Sequence, residues 1–444
     1  MALPRQALVL GFQRTGQAVA RVLAARGVRV RVADRRPADA LGVEARHWTD
    51  VELRLGEEGP DLLADVDLVV PSPGVAREAP LLAAAVRRGL PVRSEIEVAA
   101  SLLECPLVAI TGTNGKSTTT SLVGLALARA GRRVFVGGNL GTPLVAAVGS
   151  DAEVAVAEVS SFQLEWVEQF RPGIGCLINL TPDHLDRHGS FEVYAAAKAR
   201  LFARQGTDDF AVLNRDDAGV WRLASRVRSR VVSFGSDPAP SGAFAGEGYV
   251  ALRLPGTEEE RYGLARTRLV GRHNLENLLA AVTLARLAGA PPAAVQDAVD
   301  GFEPLPHRMT RVATRRGVEW FDDSKATNVG AAVRSLESFL GPVVLLSGGV
   351  DKGGSYAPLA DAAAGKVRLA LVFGAACTAI TAALGRRDVA VEPVPSLDAA
   401  VRAAAAHARS GDVVLLAPAC SSFDMFTDYA ARGRAFRAAI EALG

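Results

Sequence analysis

Short apolar runs alternate with amphipathic, alanine-rich segments along most of the chain. The first run, at 7–11, leads through a glycine-bearing turn and a helical pattern to a second run at 28–33, which ends at Asp34. A strand, a helix and a strand in this order predict a βαβ unit. A later predicted strand at 68–70 continues into Pro-Ser-Pro-Gly at 71–74, a rigid turn at the strand end where parallel sheets bind ligands.

The same alternation continues toward the C-terminus. Further strands are predicted at 106–110, 134–136, 154–159, 175–179, 343–347, 369–373 and 413–417, and helices at 119–130 and 275–288. Residues 236–262, rich in glycine, proline and glutamate, are expected to form turns and exposed strands. Because helices separate the strands, the sheets should be parallel, and 444 residues suffice for about two to three domains. The predicted fold class is α/β, with a Rossmann-like N-terminal domain at 1–94, a central P-loop ATPase-type domain at 95–303 and a C-terminal Rossmann-like domain at 304–444.

Composition and charge exclude several classes of protein. With 49% hydrophobic and 22% charged residues, the chain is expected to be globular rather than disordered or collagen-like. A formal net charge of +2 gives no broad basic footprint for nucleic acid. No apolar stretch is long enough to span a membrane, and the N-terminal residues lack a signal-peptide pattern. We expect a cytoplasmic protein with neither nucleic-acid nor membrane partners, whose four cysteines are reduced.

The first predicted turn, from Gly11 to Gly16, resembles the glycine pattern of dinucleotide-binding domains, except that Gln13 stands in place of the middle glycine. Asp34, at the end of the second strand, stands where that pattern has its acidic residue. We interpret the turn as a Rossmann-like site that offers backbone N–H groups to phosphates. A turn with only a structural role is the alternative.

The sequence Gly-Thr-Asn-Gly-Lys-Ser-Thr at 112–118 stands between a predicted strand and a predicted helix. In such a loop, successive N–H groups and the helix N-terminus hold phosphate, while Lys116 reaches the terminal phosphates. Ser117 and Thr118 supply hydroxyl groups toward magnesium. The strict P-loop pattern asks for a glycine where the chain has Ile110, so a structural loop is the alternative. The strand–loop–helix context predicts an ATP site.

Lysine is rare in this chain, with five lysines among the 50 basic residues, at 116, 198, 325, 352 and 366. A chain that uses arginine almost everywhere is expected to keep lysine where a compact charge or a reactive amine is needed. Lys198 falls on the apolar stripe of a predicted helix, where an unpaired cation is costly. A side chain that extends to the surface is one interpretation. The other is a buried lysine with a lowered pKa, which could add carbon dioxide and become a carbamate, a carboxylate-like metal ligand.

Carboxylates and histidines near these segments indicate a metal site. Glu158 ends a predicted strand, where a hard carboxylate beside the phosphate loop suits magnesium, and Asn139 adds a polar group nearby. Asp183 and His184 would complete a metal-rich cleft with Lys198. Zinc is the alternative for this histidine-containing segment, although the segment lacks metalloprotease spacing.

Four polar segments in the last third of the chain, mostly at strand ends, predict a ligand-binding edge there. They are Pro-His-Arg-Met at 306–309, Asp-Asp-Ser-Lys-Ala-Thr-Asn at 322–328, Gly-Gly-Val-Asp-Lys-Gly at 348–353 and Pro-Ala-Cys-Ser-Ser-Phe-Asp at 418–424. Any one of them could be a helix cap or a turn. Lys352 is expected to lie in a flexible loop at the ligand edge of a sheet.

Together these segments resemble the Mur ligase family, the ATP-dependent amide ligases of peptidoglycan precursor synthesis. The motifs are SPG at 72–74, GTNGKST at 112–118, EVSSFQLE at 158–165, LTPDHLDRHGSFEVYAAAKARLF at 180–202, GRHNLENLLAA at 271–281, PHR at 306–308, DDSKATN at 322–328, GGVDKGG at 348–354 and PACSSFD at 418–424. The SSFQLE and SKATN segments favour the branch that adds D-glutamate over those that add L-alanine, the third residue or the terminal dipeptide.

The resemblance implies a nucleotide and metal site with ATP and two magnesium ions. The residues implied for ATP are Gly112, Thr113, Asn114, Gly115, Lys116, Ser117 and Thr118 for the phosphates, with Asn274, Arg308 and Asp323 for adenine, phosphate and ribose. Ser117 and Glu158 would bind one magnesium ion, and His184 and Lys198, carbamylated by CO2, the second. Lys116, His184 and Lys198 would be the catalytic residues.

The resemblance also implies two small-molecule substrates, and we expect a monomer. D-glutamate would contact Thr327, Lys352, Ser422, Phe423 and Tyr429, where Tyr429 replaces a phenylalanine frequent in the family. UDP-N-acetylmuramoyl-L-alanine (UDP-MurNAc-L-Ala) would contact Arg14, Thr15, Gly16, Asp34, Arg35, Arg36, Gly74 and Asn139. The alternatives are another Mur enzyme or a folylpolyglutamate synthase, separated by amino-acid selectivity. An NAD-linked oxidoreductase or a nucleotide-sensing module is a further alternative, against which Gln13 counts.

Overall fold

The computed structural model describes residues 3–269 and 271–443, and these form three β-sheets flanked by helices. The first sheet has four parallel strands in the order β3-β2-β1-β4. Its strands are β1 (Gln6–Leu10), β2 (Arg29–Asp34), β3 (Val51–Leu55) and β4 (Leu68–Pro71), with helices α1 (Arg14–Ala24), α2 (Ala38–Leu41), α3 (Pro80–Arg87) and α4 (Glu95–Leu102). Short 3₁₀ helices span Ala45–His47 and Pro60–Leu63.

The second sheet has nine strands in the order β13-β12-β11-β10-β9-β8-β5-β7-β6. They are β5 (Leu107–Thr111), β6 (Val134–Gly138), β7 (Val154–Glu158), β8 (Ile174–Leu177), β9 (Phe210–Asn214), β10 (Arg230–Gly235), β11 (Gly242–Gly246), β12 (Tyr249–Arg253) and β13 (Glu260–Gly263). Among these described strands, β12 alone runs in the direction opposite to all the others. Helices between and after them are α5 (Lys116–Arg129), α6 (Ser161–Leu164), α7 (Leu185–His188), α8 (Phe191–Ala199), α9 (Ala218–Trp221), α10 (Arg272–Leu287) and α11 (Pro292–Gly301), with 3₁₀ helices at Leu144–Ala147 and Arg200–Phe202.

The third sheet has six strands in the order β14-β15-β19-β16-β17-β18, parallel except for the β14–β15 hairpin. They are β14 (Thr310–Arg315), β15 (Val318–Asp322), β16 (Val343–Gly348), β17 (Val367–Phe373), β18 (Val391–Pro393) and β19 (Val413–Leu416). The helices are α12 (Val329–Glu337), α13 (Ala357–Ala363), α14 (Cys377–Gly385), α15 (Leu397–His407) and α16 (Tyr429–Glu441).

The central parallel strands are buried along their whole length, as β5, β7 and β16 show. Helices cover both faces of a parallel sheet, so its strands become near-continuous apolar runs, and this is why those runs identify the strands in the sequence. The predicted α/β class with mostly parallel sheets is confirmed. The prediction of exposed strands within 236–262 is wrong for β11 and β12, because Phe244, Val250 and Leu252 pack into the core.

The chain divides into two compact units. The first contains Met1–Leu180, Ala195–Arg266 and Glu276–Gly301, and with them the four- and nine-stranded sheets. The second contains Thr181–Tyr194, Thr267–Leu275 and Phe302–Gly444, and with them the six-stranded sheet. Across the described ranges, no helix is long and apolar enough to cross a membrane.

Candidate active site

The loop at 112–115 in the first unit joins the end of β5 to the start of α5. Gly112 and Gly115 have φ angles of 157° and 85°, which residues other than glycine rarely adopt. A Cβ atom on Gly115 would lie 2.1 Å from the Asn277 Oδ1 atom. The glycines therefore let the loop turn tightly, so that its N–H groups and the N-terminus of α5 lie together at the carboxyl end of the sheet, as an anion site requires.

Asn179, directly after β8, holds this loop from the neighbouring strand. The Thr113 N–H group donates to the Asn179 carbonyl oxygen at 3.0 Å, and the Asn114 N–H group to its Oδ1 atom at 2.8 Å. The Asn179 Nδ2 group donates back to the Asn114 carbonyl oxygen at 3.2 Å. Sequence reasoning gave Asn179 no role in the site; its signal is a lone amide at the end of an apolar strand.

Two of the five lysines meet at one backbone oxygen of the loop. Lys116 Nζ donates to the Gly112 carbonyl oxygen at 2.9 Å and to that of Thr113 at 2.8 Å. Lys198 Nζ donates to the same Gly112 oxygen at 2.8 Å and contacts Thr111 Oγ1 at 3.4 Å. Lys198 is only 1% exposed, so the interpretation of a side chain that extends to the surface is wrong. Two ammonium groups on one oxygen repel each other, and an anion beside them, or conversion of one amine to an anionic group, relieves that repulsion.

Glu158, the last residue of β7, presents a buried carboxylate next to the loop. Its Oε2 atom accepts a hydrogen bond from Ser117 Oγ at 2.6 Å, and its Oε1 atom accepts one from Asn139 Nδ2 at 2.7 Å. A carboxylate and a hydroxyl at a phosphate loop are the hard oxygen ligands that magnesium takes together with phosphate and water. No group of three or more His, Cys, Asp or Glu in 3–269 and 271–443 is arranged to hold a metal, so the zinc alternative gains no support.

A cavity of about 1000 Å³ lies in the first unit, at the carboxyl end of the four-stranded sheet. Most residues predicted to bind the UDP-linked substrate line it, namely Arg14, Thr15, Asp34, Arg35, Arg36, Gly74 and Asn139. Gly16 lies outside the lining: a Cβ atom there would be 1.9 Å from the Gly11 carbonyl oxygen, so its role is the close approach of α1 to the turn. Sequence reasoning missed Glu57, Glu58 and Gln163 as lining residues.

Asp34 organises the turn after β1 rather than presenting a free carboxylate. It accepts hydrogen bonds from the Phe12 N–H group at 2.8 Å and from Arg36 Nε and a terminal nitrogen at 3.0 and 2.8 Å. Burial acts to raise the pKa of Asp34, but the hydrogen bonds and charge of Arg36, together with the Phe12 bond, outweigh it and lower the pKa to about 2. The carboxylate thus stays ionised and fixes Arg36 at the cavity wall.

In the second unit, the loops that follow β15, β16 and β19 carry the predicted amino-acid-binding residues. The guanidinium of Arg432, on α16, is fully buried behind them. It donates to Ser324 Oγ at 3.0 Å and to the carbonyl oxygens of Ser324, Gly348 and Cys420 at 2.8, 3.3 and 3.2 Å. Burial lowers the pKa of Arg432 to about 10. One cation therefore ties the three loops together, and no sequence motif had singled it out.

The predicted D-glutamate residues of the second unit have different environments. Lys352, in the loop after β16, is paired with Asp183, with Nζ 3.2 Å from Oδ1. Ser422 is buried, whereas the ring of Phe423 is 74% exposed. Tyr429 lies beneath Lys325, whose Nζ atom is 3.8 Å from the ring centroid.

Asp323, predicted to contact the ribose, is buried in the second unit. It accepts hydrogen bonds from Ser335 Oγ and from the Met309 N–H group. Burial raises its pKa to about 6, against the opposing effects of the Ser335 bond and the positive charge of Arg308. Thr327 lies between the buried Ala326 and Asn328.

Asn274 lies in the first turn of α10, next to His273. Burial lowers the pKa of His273 to about 4, and the charges of Arg334 and Arg308 lower it further. The imidazole is therefore neutral, and the positive charge around Asn274 comes from the two arginines.

His184, also in the second unit, begins α7 with a positive φ of 53°. Its N–H group donates to Asp183 Oδ1 at 3.0 Å, and its Nε2 atom is 3.7 Å from Asp183 Oδ2. Asp183 also accepts a hydrogen bond from Asn328 Nδ2 at 3.0 Å. That His184 and Lys198 share a metal ion stays a prediction.

Most of the chain matches known protein families. Residues 5–94 match the Mur ligase MurD-like N-terminal domain, 110–285 the Mur ligase middle domain and 307–420 the Mur ligase glutamate ligase domain. The prediction of three domains is confirmed, while the predicted limits at 94 and 303 stay predictions.

Individual proteins match over the same length. UDP-N-acetylmuramoylalanine--D-glutamate ligase of Geobacter metallireducens is 45% identical over 442 residues, which cover 98% of this chain and 97% of that protein. The enzyme of the same name from Anaeromyxobacter dehalogenans is 48% identical, with 97% and 96% covered. Among solved structures, UDP-N-acetylmuramate-alanine ligase MurC from Thermotoga maritima matches with a TM-score of 0.61 at 19% identity, over 99% of this chain and all of that one. A pseudomurein peptide ligase type C from Methanothermus fervidus matches with a TM-score of 0.65, also at 19% identity and over 99% and 100% of the two chains. At these identities the solved structures support the fold alone.

Proposed function

The chain belongs to the Mur ligase family, and we propose that it joins D-glutamate to UDP-MurNAc-L-Ala while ATP is converted to ADP and phosphate. The observation that carries the proposal is the phosphate loop, with Lys116 and Lys198 on the Gly112 carbonyl and the Ser117–Glu158 pair beside it. The identity of the two other substrates rests on the relatives named UDP-N-acetylmuramoylalanine--D-glutamate ligase.

ATP binding is assigned to the loop at 112–118 and to three residues later in the chain. The loop 112–118 holds the phosphates through the N–H groups at the start of α5 and through the Lys116 ammonium group. Asn274 contacts adenine, Arg308 a phosphate and Asp323 the ribose. The tight glycine loop and its support by Asn179 favour this assignment. Asn179 accepts hydrogen bonds from the Thr113 and Asn114 N–H groups and so fixes the turn that presents the N-terminus of α5 to phosphate.

The UDP-linked substrate is assigned to the cavity of about 1000 Å³ in the first unit. Arg14, Arg35 and Arg36 face the diphosphate, Gly74 lies along the arm, and Asn139 contacts the muramoyl end. The Asp34–Arg36 pair supports the assignment, since it holds a guanidinium at the wall in a fixed orientation. Asn139, which also bonds to Glu158, links this end of the cavity to the phosphate loop.

D-glutamate is assigned to the loops that Arg432 holds together. Lys352 matches the side-chain carboxylate of D-glutamate as a point charge, with Thr327 and Ser422 as hydrogen-bonding groups and Phe423 and Tyr429 as apolar surface. Lys352 Nζ lies 3.2 Å from Asp183 Oδ1, which holds the ammonium group in position.

The reaction proceeds in two transfers. A carboxylate oxygen of the muramoyl-alanine arm attacks the γ-phosphorus of ATP, the bond between that phosphorus and the bridging oxygen breaks, and ADP leaves. The amine of D-glutamate then attacks the acyl carbon, the carbon–oxygen bond to phosphate breaks, and the nitrogen loses a proton as the amide forms. Lys116 lowers the repulsion between the two anions that must meet in the first transfer.

The family is ATP-dependent and uses magnesium, which neutralises phosphate charge and aligns the reacting oxygens when bound. We propose two ions, one held by Ser117 and Glu158 and the other by His184 and Lys198 as its carbamate. The repulsion between Lys116 and Lys198 supports the modification, because a carbamate replaces one positive charge with a negative one. Since ATP and UDP-linked sugars are cytoplasmic metabolites and all assigned residues belong to one chain, we propose a monomer that acts in the cytoplasm.

The test is phosphate release with ATP, magnesium and UDP-MurNAc-L-Ala, with the amino acid varied among D-glutamate, L-glutamate, L-lysine and meso-diaminopimelate. Turnover with D-glutamate alone is the expected result, and a Lys116→Ala variant controls for contaminating ATPase. Turnover with a different amino acid would assign the chain to another reaction of the family. No turnover with any of them would refute the proposal.

A further inference from the structure

Glu95 is a buried acid that none of the assigned ligand sets includes. It is the first residue of α4 and is 1% exposed, and the groups that donate hydrogen bonds to its carboxylate, the Val145 N–H group and Gln163 Nε2, are uncharged. Burial raises its pKa to about 7, while hydrogen bonds from the Val145 and Leu144 backbone and from Gln163 oppose the shift. A carboxylate kept at this cost is expected to do something that a neutral side chain would not.

The two oxygens of Glu95 hold two separate segments of the first unit. Oε1 accepts a hydrogen bond from the Val145 N–H group at 2.6 Å, in the 3₁₀ helix Leu144–Ala147. Oε2 accepts one from Gln163 Nε2 at 3.3 Å, in α6. Both segments contribute to the cavity, through Gln163 itself and through Asn139, Gly141 and Pro143 in the loop that leads into the 3₁₀ helix. Glu95 stands behind this wall rather than in it.

The orientation of the Gln163 amide is set from both of its ends. Its Oε1 atom accepts hydrogen bonds from the Ser160 N–H group at 2.9 Å and from Ser160 Oγ at 2.8 Å. Its Nε2 group must therefore point toward an acceptor, and Glu95 provides it. Replacing Glu95 by glutamine would set a donor against a donor, or force one amide to turn over and lose its other bonds.

We propose that Glu95 is a positioning residue that fixes Gln163 and the 139–143 loop at the end of the cavity that receives the muramoyl-alanine arm. It acts more strongly on the affinity for that arm than on the affinity for uridine diphosphate, to which the 139–143 loop is linked through the hydrogen bond from Arg14 to the Gly141 carbonyl oxygen. The identity of the arm rests on the proposed function, while the positioning of the wall does not.

Glu97, two residues along α4, provides a matched control. It is also buried, and its oxygens accept hydrogen bonds from the Glu168 and Gln169 N–H groups at 3.1 and 2.7 Å. That turn lies outside the cavity lining. Glu97→Gln thus repeats the chemistry of Glu95→Gln on the same helix without touching the wall.

The first measurement is calorimetric titration at pH 8 of wild-type protein, Glu95→Gln and Glu97→Gln with UDP-MurNAc-L-Ala and with UDP alone. We expect Glu95→Gln to bind UDP-MurNAc-L-Ala about tenfold more weakly, the effect of losing one hydrogen bond to a charged group, and to lose clearly less affinity for UDP. Glu97→Gln should bind both ligands normally. An equal loss of affinity for both ligands in Glu95→Gln, or the same loss in Glu97→Gln, would overturn the inference.

The second measurement needs no substrate. Hydrogen–deuterium exchange of the ligand-free proteins is expected to rise in the peptides covering 139–147 and 160–165 in Glu95→Gln, and to stay at the wild-type level there in Glu97→Gln. Unchanged exchange in Glu95→Gln would overturn the inference. If wild-type protein binds UDP but not UDP-MurNAc-L-Ala, the proposed function fails, and the exchange result still decides the role of Glu95. Glu95→Asp, which keeps the acceptor chemistry, takes the place of Glu95→Gln if that variant does not fold.

Discussion

Removing the Arg432 guanidinium should release the three loops assigned to D-glutamate. Arg432→Met keeps much of the side-chain volume but deprives the carbonyl oxygens of Ser324, Gly348 and Cys420 of their buried donor. An unsatisfied buried acceptor costs about 1–3 kcal/mol, so three cost roughly 6 kcal/mol. The variant also avoids the free-energy cost of burying a charge. The pKa of Arg432 falls from 12.5 to about 10, which corresponds to a cost of about 3 kcal/mol in the wild type. The net loss of unfolding free energy is therefore roughly 3 kcal/mol.

The functional consequence should be confined to one substrate. Because the released loops carry Lys352 and Ser422, we expect the KM for D-glutamate to rise at least about tenfold, since small misplacements of binding groups are costly. The KM for UDP-MurNAc-L-Ala should not change, because its assigned cavity belongs to the first unit. Urea unfolding followed by tryptophan fluorescence, together with phosphate-release kinetics, measures both effects.

Arg434→Met is the control, since Arg434 is exposed on the same helix. Equal unfolding free energies and equal KM values for D-glutamate in the two variants would refute the reasoning. Arg432→Lys should fall between wild type and Arg432→Met, because an ammonium group keeps the charge but cannot span all three loops.

Three further predictions concern the first unit. Lys198→Ala should lose nearly all phosphate release and recover part of it with acetate or propionate, which can stand in for a carbamate. Glu158→Gln should lower kcat at least about a hundredfold and raise the magnesium concentration needed for half-maximal rate, because it removes a charged oxygen ligand. Between pH 4.5 and 7 the folded protein retains a proton on Glu95 that the unfolded chain has lost, so unfolding free energy should fall by about 3 kcal/mol as pH rises through this window. Urea unfolding at pH 5 and pH 8 should show that this fall is absent in Glu95→Gln.

Each of these has a contradicting outcome. Full activity of wild-type protein in bicarbonate-depleted buffer would exclude the carbamate on Lys198. An unchanged magnesium dependence in Glu158→Gln would remove Glu158 from the metal site. If the stability of Glu95→Gln depends on pH as that of the wild type does, other groups cause the dependence. Glu97→Gln is the control, because it removes a different buried carboxylate from α4.

The local features of this protein could be predicted from its sequence because their causes are local. A buried parallel strand needs a continuous apolar run, and a phosphate loop needs glycines at 112 and 115 for its positive φ angles, so both are visible as short patterns. Glu158 was predicted to lie beside the phosphate loop because the carboxyl ends of parallel strands share one edge of the sheet, and its hydrogen bond with Ser117 is found there. The motif order also identified the family, which the comparisons confirmed over the whole chain.

The features that only the tertiary structure determined are those that depend on partners distant in the sequence. Lys198 on an apolar stripe is compatible with a surface or a buried position, and its burial became known only through its contact with Gly112. Asn179, Arg432 and Glu95 carry no motif, because an amide, a guanidinium and a carboxylate are common on any surface. Their roles arise from hydrogen bonds to backbone groups far away in the sequence. Asn179 and Glu95 bond to groups 50 or more residues away. Arg432 bonds to Gly348 and Ser324, which are 84 and 108 residues away. A single sequence states which groups need partners, and only the packing of its sheets and helices determines which partners they find.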